Sequence, residues 1–242
     1  VADKWNLSRE DLDQFALESH QKAAQATESK YFDKEILPVE GKNAEGINDL
    51  VMADEGIRFD ASLDKLAGLN PVTEGGKITA GNASQITDGA AAVLICNDAG
   101  LKKIKSNPRA EIVSISVVGD DPVFMLTGPI PASHKALDIA KLSIDDMDIY
   151  EVNEAFAPVP LAWAEELKAD RSKLNVNGGA MALGHPLGAT GAKLMTTMLH
   201  ELERRKGKYA LQAICEGGGT ANATIIKRAV SYTHLRAHET SS

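Results

Sequence analysis

The sequence has 242 residues, of which 43% are hydrophobic and 25% charged, and it carries a net charge of −8. That length suits one large domain or two ordinary ones of globular composition, and the acidic balance argues against a nucleic-acid surface, which needs a basic face. No run is apolar enough to span a membrane, the six His show no paired metal-ligand spacing in the body of the chain, and the two cysteines, Cys96 and Cys215, are too few for a disulfide framework. Reduced thiols in the cytoplasm, or in an organelle matrix, are the simpler expectation. The opening Val1-Ala2-Asp3-Lys4 is polar, so no signal peptide is expected, and the missing initiator Met reads as a processed end or a cut.

Ser8 and Asp11 form a helix-start signal ahead of Leu12, Phe15 and Ala16, and the helix is expected to run to about Ala26. Residues 30–76 mix charges with Pro38, Gly41, Gly46, Gly56, Gly68 and Pro71, which reads as an irregular excursion with one short helix near Leu63 to Ala67. Beyond Ile78 the pattern changes. Gly81 to Gly89 is a polar loop, and Ala90 to Cys96 is an apolar run of strand length. A short helix follows from Ala99 to Lys105, and Ile112 to Val118 is β-branched and strand-like. Ser133 to Ala140 is expected to be helical, and Ser143 with Asp146 repeats the capping pattern. Ile149 to Val152 reads as a buried strand, Ala155 to Leu167 as a helix and Leu174 to Val176 as a strand entering a glycine-rich loop. Gly188 to Arg205 is amphipathic, with Leu194, Met195, Met198, Leu199 and Leu202 on one face. Tyr209 to Ile214 and Thr220 to Ile226 read as strands on either side of Gly217-Gly218-Gly219. The alternation predicts an α/β fold whose sheets are covered by helices. Ser231 to Ser242 has no apolar periodicity and reads as a non-native or disordered tail, with the four-residue spacing of His234 and His238 accidental.

Chemistry-bearing residue types concentrate in particular stretches. Thr79 to Ala92 is rich in small residues and offers the Ser84 hydroxyl and the Asn82 amide, either to a ligand or to a tight turn. Asn153-Glu154-Ala155-Phe156-Ala157 follows a strand, where α/β sites gather, and Asn153 either holds a water or oxyanion or caps a helix. Asn177 to Gly191 surrounds His185 with glycines at the head of a helix, and His185 is the one base there that titrates near neutrality. Its glycine spacing matches neither a dinucleotide fingerprint nor a P-loop. Cys215-Glu216-Gly217-Gly218-Gly219 pairs a thiol with backbone N–H groups of the kind an oxyanion hole uses, or is a structural Cys beside a bulge.

Taken in this order, the motifs resemble the thiolase family: GNAS at Gly81 to Ser84, NEAF at Asn153 to Phe156, GGAxALGHPLGATG at Gly178 to Gly191 and CEGGG at Cys215 to Gly219. Thr127-Gly128-Pro129-Ile130-Pro131-Ala132 and the opening LSREDLDQFALESHQKA add to it, so the resemblance covers about residues 4–229. It implies the thiolase fold, α/β with alternating helix and sheet layers, the second half complete and the first partial. Residues 1–105 would be the rear part of the N-terminal domain, with a loop excursion over 1–80, and 106–230 the C-terminal domain.

The implied activity is acyl-CoA C-acyltransfer, the reversible thiolytic cleavage of 3-ketoacyl-CoA, in fatty acid metabolism and β-oxidation. Acyl-CoA and CoA are the partners, CoA is a substrate and no cofactor is required. The complete protein would be a homodimer or homotetramer. By resemblance, His185 activates the nucleophilic Cys and faces the thioester oxygen, and Asn153 positions a water in the first oxyanion hole. Cys215 is the acid/base at the α-carbon, and the Gly217 N–H belongs to the second oxyanion hole. Ser84, Phe156 and Met125 line the substrate and CoA channel. The family's nucleophilic Cys lies ahead of the region matched here, so the chain as given is expected to be inactive. Cys96, within an apolar run, is expected to be buried and inert. Val72 stands where acetoacetyl-specific members often carry an aromatic residue, which suggests a less restricted acyl pocket. A decarboxylating condensing enzyme is disfavoured by the CEGGG motif, and a non-catalytic acyl-CoA or lipid carrier by the presence of both His185 and Cys215.

Overall fold

A computed structural model describes residues 1–42 and 46–229. The tail, with His234 and His238, lies outside the described residues. The centre is a sheet of four strands: β3 (Ala110–Gly119), β4 (Ile149–Val152), β5 (Tyr209–Cys215) and β6 (Thr220–Arg228), in the order β3-β6-β5-β4. Neighbours are antiparallel except β4 and β5, which run parallel with Val152 beside Ala213. Both therefore end at the same edge, and Asn153 and Cys215 leave the sheet side by side there.

Period-two alternation decides what each face meets. Tyr150, Val152, Leu211, Ala213, Ala223 and Ile225 turn to one side and join the main core. This side is roofed by α4 (Pro129–Ala140) and α5 (Pro158–Leu167). Trp163 of α5 is fully buried against the Tyr150 ring, with centroids 5.3 Å apart, and its indole N–H donates to Ser133 Oγ at 2.8 Å. Ser114 and Ser116 of β3 fasten α4 from below by donating to Ala136 O and Ala132 O. On the opposite side Ile149, Ala210 and Ile226 pack against Met198 and Leu202 of α7 (Thr190–Arg205), the face read from the sequence.

Helix α1 (Arg9–Glu28) starts as predicted, with a reciprocal capping box between Ser8 and Asp11. Its Leu12, Phe15, Ala16 and Leu17 enter the main core, so the opening helix is packed against the C-terminal sheet's own core. Helices α2 (Leu63–Ala67) and α3 (Asp98–Ile104) lie where expected. The excursion also holds a hairpin of β1 (Val39–Lys42) and β2 (Asn48–Val51), unforeseen because its short strands are largely exposed and lack apolar alternation.

Two predicted strands are absent. Ala90 to Cys96 forms no strand and stands in solvent, with Leu94 78% and Ile95 69% exposed. No strand among the described residues lies beside this run, and an apolar run becomes a buried strand only where a ladder receives it. Cys96 is correspondingly exposed, not buried as expected. Leu174 to Val176 makes a single bridge from Leu174 to Tyr150, after which the Asn175 N–H turns in to Tyr150 O.

Candidate active site

Three loops meet at the edge where β4 and β5 end. Residues 81–87 thread between the other two: Ala83 bridges Phe156, and the Ser84 N–H donates to Ala155 O at 3.0 Å. One residue further, Gln85 O accepts the His185 N–H at 3.0 Å. The Gln85 amide, overlooked in the sequence, donates to Gly56 O at 2.8 Å and Met181 O at 2.7 Å. It thereby ties the excursion, the GNAS loop and the His185 loop together. Ser84 and Phe156 are both half-buried, and the bridge from Ala83 to Phe156 places them on adjoining segments.

The Asn82 amide is not available to a ligand. It is fully buried and donates to Asp13 Oδ1 at 2.8 Å and Lys77 O at 3.1 Å, while its Oδ1 accepts from Thr79 N. Of the two readings left open for this loop, Asn82 follows the turn and Ser84 remains a candidate for contact.

The acidic residue of the NEAF stretch explains why the next loop is glycine-rich. Glu154 is 1% exposed, and its carboxylate accepts from Ser19 Oγ (2.7 Å), Asn175 Nδ2 (2.9 Å) and Met181 N (3.1 Å). Burial pushes its pKa up, and the Asn175 and Ser19 hydrogen bonds hold it down. A Cβ at Gly179 would overlap this carboxylate, and one at Gly184, at φ +81°, would overlap Thr87. These glycines let backbone approach side chains that lock α1 and the GNAS loop to the His185 loop.

His185 is half-buried, and desolvation lowers its pKa, so the ring is neutral at physiological pH. Its Nδ1 lies 2.6 Å from Thr190 Oγ1. Asn153 is 1% exposed, and neither Oδ1 nor Nδ2 has a hydrogen-bond partner among the described residues. It does not act as a helix cap. Beside it the buried Cys215 thiol is pushed up to about 11, chiefly by burial, with Glu216 adding and the Asn153 side chain, which approaches the sulfur without reaching hydrogen-bond geometry, opposing. Cys215 packs with Ala155, Val159, Leu126 and Phe156. No hydrogen bond joins His185 to Asn153 or Cys215 among the described residues; the fold supplies their common edge.

Gly217 lies exposed at the start of the tight turn over Gly217–Gly219. That turn is held to the loop before α4: the Asp120 N–H donates to Gly219 O at 2.7 Å, and Thr127 Oγ1 donates to Asp120 Oδ2 at 2.6 Å. Met125, half-buried and at φ 52°, rides on this loop next to Leu126. A cavity of about 340 Å³ lies between residues 1–3, the Thr73 to Ile78 stretch and the Leu126, Phe156 and Val159 side chains; His185, Asn153, Cys215, Ser84 and Met125 do not line it. Val72, 72% exposed, is not among its lining residues.

Glu151, also missed in the sequence, is 1% exposed on the α7 side of the sheet, and both its carboxyl oxygens lack partners among the described residues. Burial first, and then the Glu154 carboxyl group, raises its pKa well above the usual range. No His/Cys/Asp/Glu group among the described residues is arranged to hold a metal. The arrangement offers a neutral imidazole, a protonated thiol and an unpaired amide around one edge, equipment for acid–base work on a carbonyl compound.

Comparison with known proteins gives a consistent result. The family model for the thiolase N-terminal domain matches residues 1–99, and that for the thiolase C-terminal domain matches residues 106–228. A steroid 3-ketoacyl-CoA thiolase of Mycobacterium tuberculosis is 56% identical over 94% of this chain and 54% of its own length. The crystal structure of human mitochondrial 3-ketoacyl-CoA thiolase superposes with a TM-score of 0.91 at 46% identity, covering 95% of this chain and 58% of that one. The same human enzyme in complex with CoA gives 0.87 at 45% identity, over 94% and 57%. The chain thus spans a little over half the length of these relatives.

Proposed function

The chain belongs to the thiolase family, and on that premise we propose that the protein it forms is an acyl-CoA C-acyltransferase acting reversibly on 3-ketoacyl-CoA and CoA. The observation that carries the reading is the buried, protonated Cys215 beside Asn153 at the ends of the parallel strands, with the His185 loop tied to that same end through Gln85 O and the Ser84 N–H to Ala155 O. In cleavage, a thiolate attacks the 3-keto carbon and the bond to the α-carbon breaks, its electron pair passing to the α-carbon as the enolate of acetyl-CoA. Cys215 then gives its proton to that carbon, and a thiol pushed up to about 11 holds a proton ready for this at neutral pH. The Gly217 N–H, on an exposed turn, stabilises the enolate oxygen. The acyl-enzyme is released when CoA attacks it, the Cys215 thiolate left by the first step taking the CoA thiol proton and so regaining its own, while the proton that His185 took from the nucleophilic thiol returns to that sulfur as it leaves. Asn153 holds a water that shares the acyl carbonyl oxygen with His185. Ser84 and Met125 flank the CoA arm, and Phe156, on the 340 Å³ cavity, faces the acyl group.

Neither cysteine of the sequence suits the acyl-holding role. Cys215 retains its proton, and Cys96 stands exposed with no base hydrogen-bonded to it among the described residues. We therefore assign the nucleophile to polypeptide outside this sequence, consistent with the greater length of the relatives. We also propose that no cofactor takes part, that the complete protein is a homodimer or homotetramer, and that it works in the cytoplasm or an organelle matrix, where Cys96 and Cys215 stay free. An acyl pocket open to longer chains belongs to the same proposal. It is tested by chain-length profiling of a complete homologous enzyme with Val72 exchanged for Phe, and an unchanged profile removes it.

The deciding experiment is thiolysis of acetoacetyl-CoA by this chain, with intact mass examined for an acyl adduct. The reading expects neither turnover nor adduct, and activity once the preceding segment of a thiolase is joined. An acetyl group on Cys215 or Cys96 overturns the assignment of the nucleophile, and a joined protein that folds without activity overturns the enzyme reading.

A further inference from the structure

A base is useful only if the nitrogen facing the reaction is the one without a hydrogen, and burial alone does not decide which nitrogen that is. At His185 the surroundings do. Nδ1 faces Thr190 Oγ1 at 2.6 Å, and the same hydroxyl lies 3.0 Å from Pro186 O, the i−4 back-bond typical of Thr in a first helical turn. A carbonyl oxygen can only accept, so the link to Pro186 requires the hydroxyl proton to point there. Were the proton directed to Nδ1 instead, Thr190 Oγ1 and Pro186 O would face each other at 3.0 Å with no hydrogen between them. The ring can exchange tautomers and the carbonyl cannot, so the ring adapts: Nδ1 carries the hydrogen and donates to Thr190 Oγ1.

Other contacts keep this geometry fixed. Thr190 is 4% exposed, so water does not compete for its hydroxyl. The His185 N–H is held by Gln85 O at 3.0 Å, and the Thr190 N–H also donates to Pro186 O, at 3.1 Å. Both ends of the short loop from His185 to Thr190 are thus anchored.

We propose that Thr190 is a positioning residue that holds His185 as the Nδ1–H tautomer and so presents Nε2 as the free base. The inference rests on the reading of His185 as the base, but its test does not depend on activity. The chain is labelled with ¹⁵N-histidine, and long-range ¹H–¹⁵N correlation spectra are recorded near neutral pH. His185 is assigned by its loss in a His185→Gln variant. In the unmodified chain its Nδ1 is expected to have the protonated shift and Nε2 the unprotonated one. Thr190→Ser, which keeps the hydroxyl, is expected to preserve that pattern, and Thr190→Val, which keeps the shape, to shift the ring toward a mixture or toward Nε2–H. A protonated Nε2 in the unmodified chain overturns the proposal without needing any Thr190 variant to fold. So does an unchanged tautomer in Thr190→Val. A catalytic failure of the joined enzyme with the Nδ1–H pattern intact would sink the functional reading and leave this one standing.

Discussion

Buried carboxyls couple the stability of this fold to pH. Glu35 has a side chain 6% exposed, with Oε2 unbonded among the described residues and 3.6 Å from His200 Nδ1. Burial pushes it up to about 7, and Asp54 and Glu201 add to the rise against the pull of Thr197 and Lys193. Below the ordinary carboxyl range both folded and unfolded chains hold this proton, and stability is insensitive to it. As pH rises from about 4.5 to about 7 the unfolded chain releases the proton first, so stability falls, by on the order of 3 kcal/mol from this group. Urea denaturation of Glu35→Gln is expected to show a gain at pH 8, little change at pH 4, and a flatter profile between them. Glu154 is likewise raised by burial, but its carboxyl group accepts hydrogen bonds from three donors, which offset part of the rise. Glu154→Gln sets an amide against those donors and is expected to cost about 1–3 kcal/mol in the same assay. A smaller loss would mean that the Ser19 and Asn175 contacts rearrange freely.

Among the elements, α1 does more than its position suggests. Its N-terminus is set by Ser8 and Asp11, its Asp13 receives Asn82 of the GNAS loop, and its Ser19 reaches the Glu154 carboxylate. Ser8→Ala removes the acceptor for Asp11 N and is expected to cost about 1 kcal/mol. For a chain of this size that lowers the melting temperature by roughly 2–4 °C, readable by calorimetry. Because the helix carries Asp13 and Ser19, hydrogen exchange in the GNAS loop should quicken in the same variant. The capping box was plain in the sequence because its partners are three residues apart. The reach of α1 to Asn82 and Glu154 was not, because those partners lie 69 and 135 residues away.

At the scale of the whole molecule, β3 is a sheet edge, and on the α7 side its Ile115 and Val117 are 55% and 61% exposed. Helix α7 covers β4 and β5 and does not extend over them. An apolar edge strand of this kind invites pairing with another chain. Sedimentation of the chain is expected to show concentration-dependent association, which Val117→Lys with Ile115→Thr should reduce. Unchanged association would place the self-contact elsewhere, with the exposed Val93 to Ile95 run the next surface to alter.

The order of motifs from GNAS to CEGGG, together with the periodicity of α1 and α7, made the family, the α/β class and most elements legible without coordinates. These signals are local: caps, glycines and alternating apolar residues act within a few positions. Partnership was decided only by the tertiary structure. It turned Ala90 to Cys96 from an expected buried strand into an exposed segment, because no described strand receives it. It spent Asn82 on Asp13 while leaving the Asn153 amide unpaired, and it identified Gln85, Glu151, Glu154 and Thr190, whose partners lie on other segments or turn on side-chain geometry. Residue type fixes what a group can donate or accept, and only the packed chain determines which group stands opposite it.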